Sequence, residues 1–176
     1  EAKFGYTTGL NVTFHFSDLL GFETGVQFSN KGYKTKELNL TYFPPNPSLP
    51  NKATINYCYQ YIGIPLIAKF SFGKSKARFI SSAGLITNFL IAAKQSINYK
   101  YPDGKTDRKN QSSTSGYNKI DISPMVSIGV DYKLTDKIHL SAEPTFRFGL
   151  IEIKDAPVNE KLWNAGLALG ISYNLK

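Results

Sequence analysis

Residues 163–175 alternate strictly between large apolar and small or polar side chains. Trp163, Ala165, Leu167, Leu169, Ile171, Tyr173 and Leu175 share one phase; Asn164, Gly166, Ala168, Gly170, Ser172 and Asn174 share the other. A period of two predicts a β-strand with one apolar face. The opposite face carries glycine and short polar groups, not the long charges that solvate an ordinary sheet. Bulky outside and small-polar inside is the pattern of a closed sheet in lipid with a hydrated interior. A soluble barrel turns its apolar residues inward instead.

Six earlier segments repeat the pattern, at about 4–16, 20–30, 57–72, 77–93, 119–134 and 137–150. In the second of them Leu20, Phe22, Val26 and Phe28 oppose Glu23, Gly25, Gln27 and Ser29. In the sixth, Ile138, Leu140, Phe146 and Phe148 oppose His139, Ser141, Glu143 and Arg147. Pro65, Pro124 and Pro144 lie inside strands, where they remove ladder donors and predict bulges or kinks.

The connections alternate in length. Ser17-Asp18, Gly73 to Lys76 and Thr135-Asp136 are tight turns, whereas 31–56, 95–118 and 151–161 are long, polar and rich in Pro, Asn, Ser and Lys. This predicts an all-β fold: a transmembrane, antiparallel, up-and-down β-barrel forming a single domain over 1–176. Its place is the outer membrane of a Gram-negative bacterium, with short turns periplasmic and long loops extracellular. Strands of about 9–16 residues cross a bilayer when tilted. Seven strands put the two chain ends on opposite sides, against the even-strand rule for bacterial barrels. An eighth strand is therefore expected, preceding Glu1 or supplied by something else, because an open edge in lipid leaves unpaired backbone groups.

Composition adds detail to this picture. Aromatics reach 14% while mean hydropathy is −0.25. No apolar run of about 18 residues is present, as expected where hydrophobicity hides in alternation. The opening EAKFGYTTG has no charged and apolar leader pattern, so any signal peptide is expected to be already removed. Aromatics gather at strand ends: Phe16, Phe72, Tyr132 and Tyr173 toward the short turns, and Phe28, Phe89, Phe148 and Trp163 toward the long loops. Two girdles at the headgroup levels follow. The net charge is +8, with Lys31, Lys34, Lys36 and Lys52 flanking one long segment. Lys94, Lys100, Lys105, Arg108, Lys109 and Lys119 flank another. No single basic stripe forms, which argues against nucleic acid. A basic rim suits the phosphates of a lipopolysaccharide leaflet, so outer-membrane lipid and lipopolysaccharide are the expected partners, ordinary loop solvation being the alternative. Cys58 is alone and cannot staple the fold.

The order of segments resembles the outer-membrane β-barrel domain family common in Bacteroidota, the porin-like or PorT-like group. The matching pieces are "GFETGVQFSNKGYK" (21–34), "YIGIPLIAKFSF" (61–72), "FISSAGLITNFL" (79–90), "ISPMVSIGVDYKL" (122–134), "LSAEPTFRFGL" (140–150) and "LWNAGLALGISYNL" (162–175). The resemblance implies an eight-stranded barrel, seven of whose strands are visible here. A "GxKxGxN"-type strand that usually opens the family is absent. Gly63 stands where the family often carries an inward glutamate before the proline.

The inward faces carry Glu23, Lys69, Arg78, Asp131, Glu143 and Arg147, both signs together. In a barrel of eight strands such residues form a lumen charge network, because the interior has room only for side chains. An enzyme on a small barrel needs a histidine beside Ser, Asp or Glu near the outer leaflet. His15 and His139 both lie within about three residues of short turns, and neither metal-ligand spacing nor a glycine-rich phosphate loop occurs. No catalytic residue, metal or cofactor is therefore assigned. The expected function is structural or interactive, as partner or subunit in an outer-membrane assembly, through the long loops or the barrel wall. Narrow, porin-like transport of small solutes or ions is the competing reading.

Overall fold

Nine β-strands make up the regular structure of a computed structural model that describes residues 1–73, 75–153 and 161–175; no helix occurs among them. They are β1 (Tyr6–His15), β2 (Leu20–Lys31), β3 (Leu38–Asn39), β4 (Lys52–Phe72), β5 (Ala77–Lys100), β6 (Thr106–Ser112), β7 (Ile120–Lys133), β8 (Ile138–Phe148) and β9 (Trp163–Tyr173). Seven form one antiparallel wall in the order β1-β2-β4-β5-β7-β8-β9, curled into a half-barrel, with β3 added to β4 and β6 added to β5. Most of the expected third loop, 154–160, lies outside the described residues, as does Lys74 in the turn before β5.

The tight turns are set by hydroxyls. Ser17 Oγ accepts from the Leu19 and Leu20 amides at 3.3 and 3.0 Å. Thr135 Oγ1 accepts from the Lys137 and Ile138 amides at 3.3 and 3.0 Å. Each side chain satisfies backbone donors that the reversal takes out of the ladder.

The two faces of the wall are opposite to those of a soluble barrel. Outward residues such as Leu66, Leu85, Ile128, Leu169 and Ile171 are exposed, the last two at 76% and 81%. Inward residues include the buried apolar trio Ile67, Ile86 and Met125, set among buried Ser, Asn, Asp and Glu. A contiguous apolar exterior of this extent is stable only against lipid or a partner surface.

Two expected loops turn out to be partly sheet. β4 begins at Lys52 and β5 continues to Lys100, so this hairpin runs well past its neighbours and recruits β3 and β6 at its flanks. At the base of the extension the register shifts between Gln60 and Tyr61: Gln60 pairs with Ala92 and Tyr61 with Leu90, leaving Ile91 extra. Below this bulge the outward positions are mostly apolar, as with Ile64, Leu66 and Phe89. Above it the outward positions turn polar, with Lys94 exposed, and the apolar Tyr59 and Ala93 are buried on the inward side. The alternation reverses phase where the surroundings of the outer face change.

The strand prolines do not produce the expected bulges. Thr24↔Leu66 and Gln27↔Gly63 keep one register on either side of the gap opposite Pro65. Ser127↔Thr145 and Val130↔Ala142 do the same around Pro144. Pro124 pairs in continuous register with Leu85. A missing amide opens the ladder on one side only, and the neighbouring pairs hold the alignment.

β1 and β9 lie at opposite ends of the strand order and do not pair with each other. The direct seam between 4–16 and 163–175 is therefore not formed.

Candidate functional site

The inward side chains fall into three layers. Nearest the short turns, Asp131 on β7 is opposite Arg78 on β5, and its Oδ2 accepts from Arg78 Nη2 at 2.7 Å. The same oxygen lies 2.9 Å from His139 Nδ1 on β8. Asn174 Nδ2 reaches the other ring nitrogen, Nε2, at 3.3 Å. Both ring nitrogens are thus engaged, and among the described residues their partners are Asp131 and Asn174.

The middle layer is built around one ammonium. Lys69 Nζ on β4 sits 2.6 Å from Glu23 Oε2 on β2 and 3.6 Å from Glu143 Oε1 on β8. Glu143 Oε2 also accepts from Ser82 Oγ and Ser127 Oγ at 3.1 and 2.7 Å. Glu23 accepts from Asn11 Nδ2 and Thr13 Oγ1 on β1 at 2.9 and 3.2 Å. Buried carboxylates persist only when paired and hydrogen-bonded in this way.

The upper layer centres on Asp121 at the start of β7. Its Oδ2 accepts from Ser123 Oγ at 2.7 Å and Asn88 Nδ2 at 3.2 Å. Lys31 Nζ lies 3.6 Å away and 4.8 Å above the Tyr61 ring. Gly149 leaves room for this carboxylate: a Cβ there would stand 2.9 Å from Asp121 Oδ1. Arg147 Nη1 reaches Gln27 Oε1 at 3.5 Å. Above this layer Tyr33, Tyr57, Tyr59 and Tyr117 cluster with Leu90, Ala93, Ile153 and Leu162, and Tyr59 is completely buried. Ring centroids are 4.7 Å apart for Tyr33 and Tyr57 and 5.6 Å for Tyr59 and Tyr117.

Of the six charges expected on the inward faces, Glu23, Lys69 and Glu143 meet in one cluster and Arg78 and Asp131 in another. Arg147 stands in the upper layer apart from both. Sequence reasoning missed Lys31, Asn88, Asp121, Ser123 and His139 as members. Lys31 read as loop charge because it ends its strand; the other four fall in the inward phase by alternation, but which charges they meet depends on the cross-strand register. Among the described residues no group of three or more His, Cys, Asp or Glu is arranged to hold a metal.

The eight aromatics of the expected girdles divide by exposure. Phe16, Phe72, Tyr132 and Tyr173 at the short-turn end are exposed, as are Phe89, Phe148 and Trp163 at the other end. Phe28 is half-buried and packs on Tyr6 with centroids 6.1 Å apart.

The extension forms a second surface. Its outward side presents Lys94, Ser96, Asn98 and Lys100 on β5. Asn110 and Arg108 on β6 lie across from Ser96 and Asn98, and Lys52 on β4 lies across from Lys100. Ser96 and Asn110 are hydrogen-bonded. Arg108 Nη2 donates to Ser96 Oγ at 3.3 Å. Glu37 clips the top, with Lys52 Nζ and Lys100 Nζ each 2.6 Å from its carboxylate. These contacts, Lys100 first and then Lys52, lower the Glu37 carboxyl to about 2.

A comparison with curated proteins finds no match. An outward apolar wall and an inward polar lumen on seven antiparallel wall strands are the features of a membrane β-barrel. This chain belongs to the outer membrane protein beta-barrel domain family, whose model matches residues 1–155, and its place is the outer membrane.

Proposed function

We propose that this protein is a non-conducting outer-membrane barrel with an interaction role, a partner or subunit in an outer-membrane assembly. The observation that carries this reading is Lys69 bridging Glu23 and Glu143 across the lumen, between two further clusters of paired charge. Side chains that satisfy one another at these distances leave little reason for an ion to replace them. The tyrosine cluster above them adds an apolar obstacle on the same axis. The long-loop end, with the β4–β5 extension, faces outward in this proposal and the short turns face the periplasm. That orientation follows the usual asymmetry of short and long connections. The segments matching the Bacteroidota porin-like or PorT-like group support placing the chain there.

Planar-bilayer recording on the purified protein tests the reading. No steady single-channel steps are expected. Conductance of porin size would replace the interaction role by transport of small solutes.

A further inference from the structure

We infer that the outward face of the β4–β5–β6 extension is a docking surface for the phosphorylated saccharide headgroups of outer-leaflet lipid. The inference names a partner for the barrel proposed above and rests on its placement in the membrane. Phe79, Ala83, Leu85, Phe89 and Ile91 share the outward side of β5, interrupted only by Ser81 and Thr87. From Phe79 to Ile91 the strand covers about 40 Å, or about 28 Å of membrane depth at a tilt of ~45°, close to the thickness of a hydrocarbon core. Lys94, the first charge on that side, follows about 7 Å higher by the same reckoning, at headgroup level. Lys100 stands roughly 14 Å above Lys94, so the surface spans the depth of a phosphorylated sugar layer.

Chemistry narrows the occupant. Lys94, Arg108, Lys100 and Lys52 lie on one polar surface with Ser96, Asn98 and Asn110 between them. Two carboxylates stand at its upper margin: Glu37, which holds Lys52 and Lys100, and Asp103 in the β5–β6 turn, which pairs with Lys105. Lys94 makes no ion pair among the described residues and is exposed. The aromatics of the extension's strands, Tyr57, Tyr59 and Tyr99, occupy the inward phase, so among the described residues the outward strand surface has no ring on which a base could stack. It also lacks the apolar anchor around which a protein interface forms. Cations interspersed with hydroxyl and amide groups fit a phosphate-bearing saccharide. Continuity with the lipid-facing wall puts that ligand at hand in the membrane itself.

The test uses the purified protein in zwitterionic detergent micelles, with folding checked by heat-modifiable electrophoretic mobility. Lipid A and its dephosphorylated form are titrated separately, and retained lipid is counted by native mass spectrometry. Lipid A is expected to be retained in preference. K94Q/R108Q is expected to weaken retention on the order of thirtyfold, from two cations near an anionic surface. E37Q frees two lysines and is expected to strengthen retention on the order of fivefold; it keeps the test decisive if the double variant does not fold. Equal retention of both lipids, or indifference to the variants, overturns the inference. Preferential retention of polyglutamate over lipid A does so too. A protein that is silent in planar bilayers yet ignores lipid A loses only this surface; one that conducts loses the proposed function.

Discussion

Lys69 on β4 holds Glu23 on β2 at 2.6 Å while reaching Glu143 on β8 at 3.6 Å, so one ammonium ties three wall strands together. K69M leaves two largely buried carboxylates without their cation. Removing one partner of a buried pair costs about 3–5 kcal/mol. Urea unfolding of the micelle-folded protein measures this, and K69M/E23Q is expected to recover part of the loss. A loss of about 1 kcal/mol or less, the range of exposed pairs, would mean that the serines and solvent hold the carboxylates instead.

Leu169 lies on the outward side of β9, exposed beside Leu167 and Ile171. L169R puts a guanidinium against lipid and is expected to destabilise by about 2–4 kcal/mol near mid-membrane. Reversible unfolding in lipid vesicles reads the change. A variant as stable as the parent would mean that no hydrocarbon covers this face.

Two glycines of the wall are expected to respond differently to alanine. A Cβ at Gly129 would meet the Ala142 carbonyl oxygen at 2.2 Å, so G129A forces backbone apart and is expected to cost about 1–3 kcal/mol. At Gly166 the nearest atom is Thr145 Oγ1 at 3.9 Å, and G166A is expected to be neutral or stabilising by up to about 1 kcal/mol. Unfolding midpoints of the two variants check the order; equal effects would show that the strands part freely at Gly129.

The wall was legible in the sequence because lipid enforces one simple rule on every outward position. Residues 163–175 displayed it without exception, and the positions of β1, β2, β7 and β8 followed. The extension escaped notice because the rule inverts there. Ala53, Ile55, Tyr57 and Tyr59 alternate as regularly as Ile62, Ile64 and Leu66 but in the opposite phase, since water replaces lipid outside. Period-two signal without a fixed face was the missing clue. The lumen charges were legible as a set but not as clusters. Which cation meets which carboxylate depends on cross-strand register, and Asp131 opposite Arg78 is a fact of pairing that spacing along one strand does not contain.

Glu37 supplies a prediction in pH. Its carboxyl is lowered to about 2 from an ordinary 4.5, chiefly by Lys100 and then by Lys52. A depressed folded value means that the contribution is present above the ordinary carboxyl range and is lost as pH falls through about 2. The clip of residues 37, 52 and 100 is therefore expected to persist at pH 4 and open in stronger acid. Carbon-13 NMR of the Glu37 carboxyl gives the midpoint. K100Q is expected to raise it more than K52Q, and added salt to raise it as well, since the pair is exposed. A midpoint in the ordinary carboxylate range would remove the clip.

The remaining edges set the direction of whatever closes the barrel. β1 runs into the Phe16–Leu19 turn, and β9 ends with Tyr173 opposite Ile138, so both point toward the short-turn end. Antiparallel pairing to both requires a strand running the other way. A second copy in the same membrane orientation offers only edges that run the same way as these, and cannot supply it. One intervening strand would set β1 and β9 about 9.6 Å apart, twice the strand spacing. A disulfide needs Cα atoms within about 7 Å. In a C58S background, L10C combined in turn with A165C, L167C and L169C is expected to form no disulfide in the membrane-inserted protein. A bis-maleimide with a reach of about 10 Å is expected to join at least one of these pairs, bridging two strand spacings. A spontaneous disulfide in any of the three would mean that β1 and β9 close directly in a parallel seam.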